Sequence, residues 1–308
     1  MRQIKPLNDF IFKKLFGEKG NEEILIPFLN AVLENTSSEA IEEVDIMENK
    51  ELTKELMEDK TGIIDVRART KKGEEINIEV QLTNQGNMEK RTLFYLSKLY
   101  ANGIKQGEDY AKLPRVITIN LLDFELLGTK KYHSTFHFWE DEEKDYMLTD
   151  AAEIHFLEYP KFRRQEVKNY KDNKVARWLA FLEKDISEDT LKELMNMEPA
   201  IQKAEDKLKH LSSDEETMNK YWAREKFLYD QTNMVNTAVE RGLQQGLKQG
   251  IEQGIEQGIE RGINAEKIEV ARKMLKAGMD IAIIQSITEL SKEQIESSIL
   301  SNNEIDTK

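Results

Sequence analysis

In GIIDVRARTKKGEEINIEVQ, residues 62–81, an aspartate near the start of one apolar stretch and a glutamate near the end of the next are spaced to meet across a hairpin. If Lys71, Lys72 and Gly73 form a three-residue turn with Gly73 in the left-handed position, antiparallel counting sets Asp65 beside Glu79, Arg67 beside Asn77 and Arg69 beside Glu75. Opposed carboxylates destabilise a bare sheet, so the pairing asks for a compensating cation, a shared proton or another register. One resolution is a divalent cation chelated by the hard oxygens of Asp65 and Glu79, with the backbone carbonyl of Val80 as a third ligand and water completing the shell. Magnesium or manganese held there would lower the pKa of a bound water and stabilise charge on a phosphate during displacement. Gln81 points to the same side as Glu79 and can donate to the attacking water or a phosphate oxygen, although an amide is neither a charged electrophile nor a general base. Arg91 or Lys90, at the start of the following helical stretch, could bring positive charge to that phosphate. An Asp and a Glu on adjacent strands are also what an ordinary solvated sheet face presents, and Arg91 could equally pair with a surface acid.

Composition narrows the chemistry further. The 308-residue chain has no cysteine, which removes disulfides, thiolate nucleophiles and cysteine-ligated metals. Of four histidines, His133, His137 and His155 sit in aromatic or alternating stretches that read as strand or loop packing, and His210 ends a charged helical run that reads as surface. With no HExxH spacing, oxygen ligands remain as the metal chemistry. The start of the chain shows no secretory pattern and no run of about twenty apolar residues occurs, so the expectation is a cytoplasmic protein that does not cross a membrane. A net charge of -13 opposes diffuse attraction to nucleic acid while leaving room for a local basic cleft or a metal-bridged phosphate.

The elements that must hold these residues can be read from periodicity. NDFIFKKLFG and NEEILIPFLNAVLEN are two amphipathic helices, and between them and the hairpin VDIMEN and ELTKELM are short ordered pieces in an acidic stretch. On the second hairpin strand Ile76, Ile78, Val80 and Leu82 share one face and Glu75, Asn77, Glu79 and Gln81 the other. MEKRTLFYLSKLYANGIKQG has a helical rhythm with Leu93, Leu96, Leu99 and Tyr100 on or near its buried stripe, and LPRVITINLLDF is a nearly continuous apolar strand that needs cover on both sides. More strand follows at 132–139 and 145–158. Helices then take over, one of them capped by Ser187 with Glu188 and Asp189 in its first turn.

RGLQQGLKQGIEQGIEQGIERG places glycine at 242, 246, 250, 254, 258 and 262, each followed by Leu or Ile. Each glycine costs about 1 kcal/mol of helix propensity, so the run is expected to be a long helix whose apolar row is covered by self-association rather than a flexible spacer. A four-residue step overshoots the helical period by about 40 degrees, so this row winds round the helix and is no heptad seam. The tail contains one helix ending near Ala277 and Gly278, a short one from Asp280 and a last one begun by Ser291, a helix-turn-helix-like unit. No basic cluster marks a recognition helix, which favours a packing or oligomerisation cap over DNA binding.

GIIDVRA, INIEVQ, KRTLFYLSKLY and GEDYAKLPRVITINLLDF, preceded by NDFIFKKLFG and FLNAVL, resemble the Rpn-type, transposase-related branch of the PD-(D/E)XK nuclease superfamily over roughly residues 6 to 125. The resemblance implies an α/β, restriction-endonuclease-like core with an all-helical C-terminal extension. It implies magnesium-dependent cleavage of DNA phosphodiesters, in proteins linked to recombination, mobile elements or defence. It matches Asp65 to the strand aspartate, Glu79 to the second acid, and Gln81 to the position held by lysine in the wider superfamily and commonly by glutamine in this branch. Asp9 matches the acid of the opening Asn-Asp helix, where it could join or orient the metal site or serve as a first-turn acid. The glycine-repeat helix and the ARKMLKAGMDI and ITELS segments also recur in the branch. The expected division is a nuclease-like domain at 1–160, a helical region at 161–225, the glycine-repeat helix at 226–263 and a helical tail at 264–308. Two functions compete: a metal-dependent DNA endonuclease with Asp65, Glu79, Gln81, Asp9 and Arg91 in its site, and a catalytically silent scaffold acting through oligomerisation or DNA binding.

Overall fold

A computed structural model describes residues 4–47 and 66–300. Asp65 and the ELTKELM segment lie outside the described residues. The chain divides into two compact units, Met1–Asp230 and Gln231–Lys308.

The first unit opens with helices α1 (Asp9–Phe16) and α2 (Glu22–Val32), followed by strands β1 (Val44–Ile46), β2 (Val66–Thr70) and β3 (Glu75–Gln81). Helix α3 (Met88–Asn102) leads to β4 (Val116–Leu122), β5 (His133–Trp139) and β6 (Met147–Glu158). Five helices follow: α4 (Tyr159–Arg163), α5 (Lys174–Leu182), α6 (Glu188–Met197), α7 (Pro199–Ser213) and α8 (Glu215–Lys276), the last running on into the second unit. Asn8 starts α1 by accepting the Phe10 and Ile11 amides, and Ser187 starts α6 by accepting that of Thr190, so both helices begin where a capping side chain meets orphan donors.

The strands form one mixed sheet in the order β1-β2-β3-β4-β6-β5. The β3-β4 and β4-β6 pairs are parallel and the others antiparallel. In β3, side chains alternate between two covered faces, so six of its seven residues are buried. Ile76, Ile78 and Val80 join Ile117, Ile119, Leu121 and Leu157 in a core closed by Phe12, Phe16 and Phe28 from α1 and α2 and by Trp178 from α5. Ring contacts among Phe16, Phe28 and Trp178, with centroids 5.1–5.8 Å apart, tie these helices together. The opposite face is covered by α3, whose Tyr95, Leu96 and Leu99 meet Val116 and Ala152 and whose Met88 meets Leu122 and Phe156. The buried stripe of α3 is Met88, Thr92, Tyr95, Leu96 and Leu99. Leu93, expected on that stripe, is 46% exposed, because the α3 contacts centre on Tyr95 and turn the Leu93 side toward solvent.

In the second unit α8 continues without a break through all six glycines. From Tyr229 to Glu266 it is exposed on every side, Leu243, Leu247, Ile251, Ile255, Ile259 and Ile263 included. Helices α9 (Ile281–Thr288) and α10 (Lys292–Leu300) then fold back, so that Ala271, Ile284, Leu290 and Ile295 form a small core of their own. Gly278, at φ +81, makes the turn between α8 and α9, and Asp280 caps α9. Among the described residues no helix is long and apolar enough to cross a membrane.

Candidate active site

The site is built on the β2-β3 hairpin. Its turn closes with the Thr70 amide donating to the Glu74 carbonyl at 3.0 Å, and Gly73, at φ +88, occupies the left-handed position after Lys71 and Lys72. The register sets Arg67 opposite Asn77, Arg69 opposite Glu75 and Val66 opposite Ile78. Glu75 is 2% exposed and neutralised by two arginines of β2, its Oε2 taking Arg67 at 3.1 Å and its Oε1 taking Arg69 Nε at 2.6 Å. Period two then carries Asn77, Glu79 and Gln81 along the face beneath α3.

Glu79 is 1% exposed and stands in register with Asn120 of β4. The Arg91 guanidinium, from the first turn of α3, donates to Glu79 Oε1 through Nε at 2.9 Å and through Nη2. Gln81 Nε2 lies 3.5 Å from the same oxygen. Burial pushes the Glu79 carboxyl above its ordinary range, and the charge and hydrogen bonds of Arg91 oppose that shift without cancelling it. The Arg91 guanidinium also lies over the Tyr95 ring, 5.1 Å from its centroid, which fixes the cation from its other side. The structure therefore brings together three of the residues expected in the site, Glu79, Gln81 and Arg91, with Val80 between the first two.

Asp9 is placed differently. Its carboxylate receives the Phe10 amide at 2.8 Å and both ends of the Arg224 guanidinium, with Nε 2.9 Å from each oxygen. It is a first-turn acid that binds α1 to the start of α8, and its described bonds go to these groups and not to Glu79. A partner 215 residues away leaves no local signal in the sequence.

Two polar residues on the α3 side escaped the reading of β4 as an apolar strand. Thr118 and Asn120 alternate with Ile117, Ile119 and Leu121, and their registers pair them with Asn77 and Glu79. Asn120 receives the Thr92 hydroxyl at 3.3 Å and donates to the His155 carbonyl at 3.0 Å. Asn77 Oδ1 and Thr118 Oγ1 are buried without a hydrogen-bond partner. A row of buried polar atoms thus leads to Glu79, and the period-two spacing of Thr118 and Asn120 was the signal for it.

The side chains here suit a hard cation: a carboxylate and a carboxamide, with two orphaned oxygens on the same face. Among the described residues no group of three or more histidines and carboxylates is arranged to hold a metal ion. Glu79 supplies one carboxylate, and the second expected ligand, Asp65, lies outside the described residues.

The histidines converge elsewhere. His155 is fully buried on β6, its Nε2 on Glu153 and its Nδ1 2.9 Å from His133 Nε2 and 3.2 Å from Thr135 Oγ1. His137 Nε2 lies 3.3 Å from Glu153, which also binds Arg115 and the Thr36 hydroxyl. Burial and the neighbouring His155 lower the His133 pKa to about 4. Packing was the expectation for each of these rings; they also form one hydrogen-bonded network across β5 and β6.

The family model for PD-(D/E)XK nuclease family transposases matches residues 6–238. The chain belongs to this family. A second model, that of the C-terminal helix-turn-helix domain of Rpn/YhgA-like nucleases, matches residues 264–298. Neither the curated proteins nor the solved structures yield a significant match. The two matches together make this an Rpn-type member, and its mixed α/β sheet with a helical C-terminal extension is the architecture expected of one.

Proposed function

We propose that this nuclease-family protein is a cytoplasmic DNA endonuclease that hydrolyses phosphodiester bonds with magnesium, or manganese in its place. The observation that carries this reading is a buried Glu79, clasped by Arg91 and adjoined by Gln81, at the end of a central strand of a PD-(D/E)XK family core. Asp65 and Glu79, with the Val80 carbonyl, are the residues that would hold the ion. When bound, it supplies Lewis-acid activation of water and charge neutralisation at phosphate.

The remaining work falls to the chain's own groups. Gln81 orients the attacking water or a phosphate oxygen by donating its amide N–H. Arg91 holds the Glu79 carboxylate in position and supplies positive charge facing a phosphate. The α3 cover excludes water from the inner half of the site, which strengthens both interactions. Asp9 orients the start of α1 through Arg224 and supports the site from outside it. The match of the tail to a helix-turn-helix family model favours DNA contacts there over the packing cap that its lack of a basic cluster suggested, and the exposed apolar row of α8 joins copies of the chain. Such an enzyme suits recombination, mobile elements or defence.

The test is nicking and linearisation of supercoiled plasmid by the full chain with Mg2+, Mn2+ or EDTA. Cleavage that needs metal and vanishes in D65A and E79A variants of unchanged circular dichroism supports the reading. Equal cleavage by wild type and either variant removes the assigned site. A second reading, a silent scaffold, is favoured by the long exposed apolar row of α8. It predicts a well-assembled oligomer that binds DNA and cuts none under any metal.

A further inference from the structure

The outward side of α3 carries exposed apolar groups. Phe94 is 51% exposed and Leu93 46%, adjacent large apolar side chains on a helix whose Met88, Tyr95, Leu96 and Leu99 are buried. They are connected to the site by contact. Glu79 holds Arg91, the Arg91 guanidinium lies over Tyr95, and the Tyr95 ring meets Phe94 edge to face with centroids 5.5 Å apart. Phe94 is thus the solvent end of a chain of side chains that begins at Glu79, and Tyr95 props its ring in place.

Charge says what covers this face. The whole chain carries 58 acidic residues against 45 basic ones, yet residues 82–106 hold Lys90, Lys98 and Lys105 against one acid, Glu89, besides the Arg91 that Glu79 neutralises. Lys90 lies one turn before Phe94 and is exposed. The loop entering α3 adds exposed amides at Asn84, Gln85 and Asn87. A half-exposed aromatic ring flanked by cationic and amide groups, in an otherwise acidic molecule, has the composition of a surface that stacks bases and tracks phosphates.

We infer that Phe94, with Leu93 beside it and Lys90 at its rim, is a stacking platform for an unpaired nucleobase of the strand that reaches Glu79. The inference rests on the nuclease reading for the identity of that strand. Phe94 receives the base face, Leu93 widens the apolar bed, and Lys90 meets the neighbouring phosphate. The platform favours single-stranded or locally opened DNA over an intact duplex, since a base within a closed stack offers no free face.

The experiment titrates the full chain, in EDTA so that nothing is cut, onto a short single strand of DNA in which 2-aminopurine replaces one adenine. Wild type should bind and quench the fluorescence through stacking. Phe94→Ala should bind about tenfold more weakly and lose the quench, while Phe94→Trp keeps both. Lys90→Gln should lower the slope of log affinity against log salt by about 0.7, one phosphate contact on a single strand. Equal affinity and quench in wild type and Phe94→Ala would overturn the platform, as would wild-type binding without quench or no binding of the strand. The plasmid assay keeps the two claims apart. Stacking without metal-dependent cleavage leaves the platform standing and removes hydrolysis, and cleavage with an unaltered Phe94→Ala does the reverse.

Discussion

Glu79 and Arg91 show how a charge is kept inside a protein. The carboxylate is 1% exposed and the arginine side chain 11%, so each depends on the other for its solvation. Arg91→Ala should therefore destabilise the fold by about 3 to 5 kcal/mol in urea unfolding, because it strands a buried charge. A loss below about 1 kcal/mol would mean that Glu79 takes up a proton or is reached by water once Arg91 is gone. Gln81→Ala should leave stability unchanged and lower kcat about a hundredfold if the amide positions the water. The His133 ring makes a separate prediction through pH. Its folded pKa of about 4 lies below the ordinary 6.5, so the unfolded chain takes up this proton first as pH falls. Stability should drop between about pH 6.5 and 4, and Glu153, whose carboxyl is held far below its ordinary range, against burial, by hydrogen bonds from His155 and Thr36 and by the Arg115 charge, adds a further loss below about 4.5. Unfolding midpoints measured across that range should fall in wild type and fall less steeply in His133→Gln. Equal slopes would remove His133 from the network's acid response.

At the scale of elements, the hairpin was legible because a three-residue turn ending in glycine leaves one simple register, and the pairs of Arg67 with Asn77 and Arg69 with Glu75 follow from it. Gly73→Ala should cost about 1 to 2 kcal/mol, since φ +88 crowds a Cβ against the backbone. A substitution without effect on the urea midpoint would show that the turn relaxes to another type. Helix α3 was legible as a helix and only in part as a surface: a hydrophobic stripe read from spacing tolerates a turn of one residue, and the sheet chose the Tyr95 side over Leu93. Thr118 and Asn120 were hidden by the apolar weight of β4, although their alternation marked a polar face. The links that join distant parts, Asp9 to Arg224 and Thr36 to Glu153, have no local signature and needed the fold.

For the molecule as a whole, helix α8 is bare on every side from residue 229 to 266 and carries six glycines that each cost about 1 kcal/mol, so burial of its Leu and Ile row by a second copy would offset that cost. We predict that light scattering gives an oligomeric mass for the full chain, and that replacing Ile251, Ile255 and Ile259 together by Gln returns the mass of one chain with the first unit still folded. An unchanged mass would place association elsewhere. All of this matters for function only if the nuclease core is active, which makes one comparison decisive. Single-turnover cleavage of a labelled DNA should be followed while Mg2+ is titrated onto wild type and onto Glu79→Gln, both confirmed folded. The account predicts a metal-saturable rate in wild type and a fall of at least about a hundredfold in the variant. A rate independent of metal, or one unaffected by loss of the Glu79 charge, would contradict it.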